Sequence, residues 1–278
     1  MQSLIPVPVP GLAHAPGKLP LVFSHANGYP PESYSILLTS LAQHYPVYTF
    51  AHRPLWGVQV APHFLSWQHY ANDLAAILSQ VGLGRVCLIG HSMGGVVSML
   101  TALQQPQSVA AVIAMDPVLL TFKRWALSRL LVNTLKRDTP MITRTLGRPR
   151  HFETHDAAFA FYRSKRAFSR MSDESLWHYV RAGHVSSDKA GVRLLWTPEW
   201  EACVYRSVPY IFHRLKRLSL PMLGLVGEDT DVLEPAALDR WQTVVPKLQL
   251  RTLSGGHLLP LENPEDCLEQ IHPFLKSL

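Results

Sequence analysis

The chain has 278 residues, of which 47% are hydrophobic and 17% charged, with a formal net charge of +6. That length can bury a large core, and the absence of low-complexity tracts or a fixed-period repeat excludes a disordered or fibrous chain. No run approaches the roughly 18 apolar residues of a membrane span, and three scattered cysteines, an odd number, exclude a disulfide framework.

The opening stretch "MQSLIPVPVPGLAHAPGK" has no basic residue before its short apolar segment, and prolines interrupt it, so it makes a poor signal peptide. Pro6, Pro8 and Pro10 lack amide donors, which rules out a central strand there and allows only an edge strand. Residues 19 to 25 and 46 to 52 read as strands. Residues 66 to 82 form an amphipathic helix that stops at Gly82. In "VCLIGHSMGGVVSML" (86 to 100) a buried strand turns into a helix, with Ser92 at the corner between Gly90 and Gly94. Cys87 lies inside that strand and reads as an apolar filler, which favours a reducing compartment and a cytoplasmic location. A further strand follows at 108 to 115.

Residues 121 to 217 hold 19 of the 26 basic residues but 8 of the 20 acidic ones, a net +11 against −5 for the rest. A shift that sharp marks a segment with its own surface and task. The alternation then resumes with a strand at 220 to 227, a helix opened by Pro235, and a strand at 247 to 253. In the last helix Asn263 is the expected N-cap, Pro264 takes the first helical position, and Glu265 and Asp266 face the positive end of the dipole.

Apolar strands separated by helices predict a mostly parallel sheet covered on both faces. Reactive groups in such sheets collect at the carboxyl ends of strands, which gives a rule for choosing among the 14 histidines and many acids. Ser92 passes it. A serine at a strand-to-helix corner stands clear of the sheet, at the positive end of a helix, where a developing oxyanion is favoured. The plainer alternative is a serine N-cap flanked by chance glycines.

His257, in "LSGGHLLPLENPE", follows the last strand by a Gly-Gly turn and is the expected base; otherwise it is a loop histidine bonded to a carbonyl. Three aspartates follow strands and precede His257, namely Asp231, Asp116 and Asp229. Asp231 is preferred as the acid, with Asp116 and Asp229 left open. The expected oxyanion donors are the backbone N–H of Met93 and the "SHANGYP" loop at Asn27, where Gly28 allows close backbone approach.

Taken together, "HANGYP", "GHSMGG", "GEDTDVL" and "GGHLLPLENPE" resemble the α/β-hydrolase superfamily, and within it bacterial hydrolases with a "HANGFP"-like oxyanion loop. The stretch "WTPEWEACVY" (196 to 205) is similar to a "PEWEA" segment of that group. The resemblance implies an α/β-hydrolase core over residues 1–120 and 218–278, with residues 121–217 as a helical cap. Likeness to "GxxSDxL" loops, with Thr230 for the serine, favours Asp231. It also implies a Ser-His-Asp hydrolase of carboxylic esters or thioesters, carboxylesterase- or lipase-like, with no cofactor or metal.

The expected partner is a small ester or acyl substrate, and the basic cap would attract an anionic one or an acidic membrane surface. No nucleic-acid motif accompanies the charge. Two other functions use the same residues: hydrolysis of a carbon–carbon bond in a diketone-like substrate, and a ligand-binding receptor.

Overall fold

The computed structural model describes residues 4–6, 17–57, 60–188 and 190–278. Strands β1 (Leu4–Pro6), β2 (Leu21–Ser24), β3 (Val47–Phe50), β4 (Val86–His91) and β5 (Val109–Met115) precede the basic segment. Within that segment lie three short strands, β6 (His151–Phe152), β7 (His184–Ser186) and β8 (Val192–Leu194). After it come β9 (Met222–Gly227) and β10 (Leu248–Leu253). The main sheet runs β1-β3-β2-β4-β5-β9-β10. Its pairs are parallel except at one edge, where β1 lies antiparallel to β3. Pro6 therefore sits on an edge strand, the one place where a missing donor is tolerated. Pro8 and Pro10 lie outside the described residues.

The central strands are buried throughout, yet their side chains alternate between two cores. Val22, Val86, Leu88 and Val112 enter one hydrophobic cluster, while Leu21, Phe23, Cys87, Ile89 and Ile113 enter the other. Period-two alternation survives inside a continuous apolar run because each face has its own helical cover. The second face is covered by α1 (Ser35–Ala42) through Leu37, Leu38 and Leu41. On the first face, α2 (Trp67–Val81) contributes Trp67, Tyr70 and Leu74, and α3 (Met93–Gln104) contributes Val96, Val97 and Leu100. The Ser66 hydroxyl caps α2 by accepting from the Gln68 amide, and Gly82 ends it at φ 68°, where a side chain would be strained.

The insertion between β5 and β9 opens with α4 (Phe122–Arg129), continued by a five-residue π turn, then α5 (Pro140–Leu146), α6 (His155–Arg163) and α7 (Asp173–Gly183). It closes with α8 (Pro198–Arg206) and α9 (Phe212–Leu215). Besides these helices, the segment read from the sequence as a helical cap contains β6, β8 and β7, which form a small antiparallel sheet. Val192 and Leu194 are buried on either side of exposed Arg193, the alternation of a half-covered strand. Phe212, Leu215 and Leu218 pack into the first core cluster with Trp241, so the end of the insertion is continuous with the core.

The remaining helices are α10 (Pro235–Val244), α11 (Leu259–Glu262) and α12 (Pro264–Lys276), the last covering the second face through Cys267, Ile271 and Phe274. Asn263 occupies the N-cap position of α12, but its side chain makes no capping bond and donates instead to the Ser254 carbonyl.

Buried imidazoles mark the strand ends. His25 follows β2 and His52 follows β3, their rings 4.4 Å apart. The His52 amide donates to His25 Nε2 at 3.1 Å, so His25 Nδ1 carries the proton that bonds the Ala26 carbonyl at 2.9 Å. Burial lowers His25 and His184 to about 4 and holds His52 and His91 well below the usual 6.5. The unfolded chain thus binds more protons than the fold below pH 6.5, and stability is lost as pH falls from there towards 4. The urea midpoint should drop between pH 7 and pH 5, each ring contributing up to about 1.4 kcal/mol per pH unit. Equal midpoints at the two pH values would mean that these rings protonate inside the fold.

Candidate active site

Strand β4 ends in a corner that only particular residues can turn. Ser92 has φ 54° and ψ −117°, a backbone conformation that side chains rarely adopt. A Cβ at Gly90 would stand 2.3 Å from the Gly94 carbonyl oxygen, and one at Gly94 would stand 1.9 Å from that of Ser24. The chain closes so tightly here that neither position has room for a side chain. The Ser92 amide donates to the Met115 carbonyl at 2.9 Å, which ties the corner to the end of β5. Met93 begins α3, so its amide has no acceptor within the helix.

The hydroxyl of Ser92 lies 3.0 Å from Nε2 of His257. On the other side of that ring, Nδ1 lies 2.6 Å from Oδ2 of Asp116. Serine, imidazole and carboxylate are therefore in one hydrogen-bonded line across three loops. Asp231, the acid preferred from the sequence, is not part of it: it is exposed on the loop after β9. Asp229 is also exposed and bonds Arg170 at 2.6 Å.

The reason is adjacency in the sheet. Strand β5 lies between β4 and β9, so its first residue beyond the strand stands beside Ser92 and within reach of the β9 loop. Asp116 is fully buried at φ 42°, its amide donating to Leu225 at 2.7 Å. Its carboxylate accepts from the Gly227 amide at 3.3 Å and from the Thr230 hydroxyl at 2.7 Å as well as facing His257. In the β9 loop a hydroxyl, and not a carboxylate, points into the site. Thr230 was legible only as a variation in a loop pattern, and its role as a donor depends on where Asp116 lies.

The loop after β2 arrives from the opposite side. The Ala26 amide donates to Tyr34 Oη at 3.3 Å and the Tyr29 amide to the Ala26 carbonyl at 3.2 Å. Among the described residues the amides of Asn27 and Gly28 have no acceptor. The Asn27 side chain is already engaged, donating from Nδ2 to the Glu201 carbonyl at 3.1 Å. It therefore joins the β2 loop to helix α8 of the insertion. The Glu201 carboxylate, 8% exposed, pairs with the Arg148 guanidinium, which also donates to Tyr162 Oη at 3.3 Å and Tyr179 Oη at 3.1 Å. A Cβ at Gly28 would lie 3.4 Å from Glu201 Oε2, so this pair packs directly on the loop.

Among the described residues no group of three or more His, Cys, Asp or Glu is placed to hold a metal ion. None of their helices is long and apolar enough to cross a membrane.

A Ser-His-Asp line at the carboxyl edge of a mostly parallel sheet, beneath an insertion between strands, defines the α/β-hydrolase class. The chain belongs to the alpha/beta hydrolase family, whose pattern it matches over residues 21–270. It is 26% identical over 274 residues to the uncharacterized hydrolase YugF of Bacillus subtilis, covering 94% of this chain and 91% of that one. It is 24% identical over 221 residues to the uncharacterized carboxylesterase nap of Bacillus subtilis, covering 75% of this chain and 62% of the relative. In fold it is similar to E-2-(acetamidomethylene)succinate hydrolase, with a TM-score of 0.76, 22% identity, and coverage of 95% and 93% of the two chains.

The pair of Arg148 and Glu201 is buried enough that breaking it leaves a charge without a partner. Arg148→Met should destabilise the protein by about 3 kcal/mol in denaturant unfolding. A companion Glu201→Leu change in the same chain should recover most of that loss; no recovery in the double variant would show that the single loss comes from packing instead.

Proposed function

We propose that the chain is a serine hydrolase of small carboxylic esters or thioesters, with Ser92 as nucleophile, His257 as base and Asp116 as the orienting acid. The observation that carries this reading is the pair of bonds on the His257 ring, 3.0 Å to Ser92 Oγ and 2.6 Å to Asp116 Oδ2. A carboxylate can only accept, so Nδ1 holds a proton and Nε2 is left free to take one. Nε2 removes the Ser92 proton as Oγ adds to the substrate carbonyl carbon. The negative charge moves onto the carbonyl oxygen, where the amides of Met93 and Asn27 are the donors available to it. The imidazolium then returns its proton to the departing alkoxide or thiolate as the tetrahedral species collapses to an acyl-enzyme. Water, deprotonated by the same Nε2, releases the acid and restores Ser92.

Asp116 stabilises the imidazolium at each half-reaction, its carboxylate held in place by donation from Thr230 and Gly227. Asn27 enters through its backbone, since its side chain is bonded to Glu201. An esterase-like activity is in keeping with the relatives, among them a protein named as a carboxylesterase and, 23% identical over 218 residues, the sn-1-specific diacylglycerol lipase ABHD11 of Mus musculus. Carbon–carbon hydrolysis of a diketone-like acid needs a cation free to bind the extra carboxylate. Arg148, which packs against Gly28, is already neutralised by Glu201, and so the ester reading is favoured. A receptor on this fold would have no use for the aligned serine, imidazole and carboxylate.

Hydrolysis of short p-nitrophenyl esters should be abolished in Ser92→Ala, and unchanged rates there would end the proposal. Asp116→Asn should keep the fold but lower kcat by about 10⁴-fold through loss of the correct imidazole tautomer. Asp231→Asn should retain wild-type turnover; the reverse ranking of the two aspartates would return the acid to the β9 loop.

A further inference from the structure

His91 precedes Ser92 and is fully buried, and its two ring nitrogens face two different loops. Nε2 lies 2.7 Å from the carbonyl oxygen of His257. A carbonyl only accepts, so Nε2 carries a proton. Nδ1 lies 2.7 Å from Tyr34 Oη. No carboxylate bonds the ring, and burial keeps it neutral, so Nδ1 is an acceptor and the Tyr34 hydroxyl donates to it. The same hydroxyl oxygen accepts from the Ala26 amide at 3.3 Å. Each proton in the chain then has one place. Ala26 N–H points to Tyr34, Tyr34 O–H points to His91 Nδ1, and His91 Nε2–H points to the carbonyl of His257.

The ends of this chain are two loops that flank the site. One is the loop of Ala26 and Asn27, which offers the oxyanion donor. The other is the loop of His257, entered through Gly255 and Gly256, whose backbone has little stiffness of its own. Tyr34 is 1% exposed, with its ring 4.7 Å from that of Phe23, so the middle of the chain is anchored in the core. We propose that His91 and Tyr34 are positioning residues, a brace that sets the separation of the base loop and the oxyanion loop on either side of Ser92. The inference rests on the Ser-His-Asp reading above and assigns neither residue a contact with substrate. Its effect is on the transition state, because displacing a reacting group by about 1 Å costs on the order of 10²-fold in rate.

The test uses the full chain and p-nitrophenyl butyrate. Tyr34→Phe keeps the ring and removes only the oxygen; kcat should fall roughly 10- to 100-fold with KM within about twofold. Labelling of Ser92 by a fluorophosphonate should slow in proportion. His91→Leu should lose as much, while His91→Gln, which offers both an amide N–H and a carbonyl, should regain about tenfold over it. The double variant Tyr34→Phe/His91→Leu should be no slower than the worse single one, since the chain is already broken. A Tyr34→Phe enzyme within twofold of wild-type kcat, a loss confined to KM, or multiplying losses in the double variant would overturn the brace. If Ser92→Ala is inactive while Tyr34→Phe behaves as wild type, only the brace fails; if Ser92→Ala retains ester hydrolysis, the underlying reading fails too.

Discussion

A carboxylate with no exposure to solvent organises this molecule's reactive edge. Asp116 lies one residue past β5 and gathers a backbone amide from β9, a hydroxyl from the following loop, and the imidazole of His257. An ionised group so buried is tolerable only when several donors compensate its lost hydration, and the three come from three separate segments. The same residue binds β9 through its own amide.

The insertion meets the core through polar contacts at several places, among them Arg170 with Asp229 on the β9 loop, Thr121 with Glu234 and Arg214 with Gln68, and one group of them lies on the β2 loop. Asn27 reaches the Glu201 carbonyl, and the Glu201 carboxylate meets Arg148, itself held by two phenols. Some of the segment's basic charge is paired within it, as in Arg163 with Asp173 at 2.6 Å and Arg206 with Asp138 at 2.7 Å. The exposed pair of Arg163 and Asp173 contributes little stability. The buried pair of Arg148 and Glu201 differs, because it packs against Gly28 in the loop that carries Asn27.

Much of the site was legible from residue order. Ser92 could be placed because an apolar strand changes to helical spacing at one residue between glycines that cannot be replaced at that corner. His257 could be placed because it follows the final strand by a flexible turn. The acid could not, since three aspartates satisfied the same rule, and the choice depends on which strands are neighbours. A loop pattern pointed to Asp231, but β5 lies between β4 and β9 and so delivers Asp116 to the imidazole. Asn27 lies in the loop after β2, and its side chain is bonded to the insertion through the Glu201 carbonyl. His91 and Tyr34 carried no signal, because a histidine inside a buried strand and a tyrosine in a short turn each have many ordinary uses.

By itself, the amino-acid order determined the strand and helix periods, the sharp corner under a serine, and the parallel sheet covered on both faces. These are local or repeating properties, set by sterics and by which side chains avoid water. The three-stranded sheet inside the insertion, the partner of His257, and the path from Ala26 to the His257 carbonyl were decided only by tertiary structure. Each depends on atoms many residues apart arriving within about 3 Å of one another, and hydrogen-bond direction becomes readable only once they have.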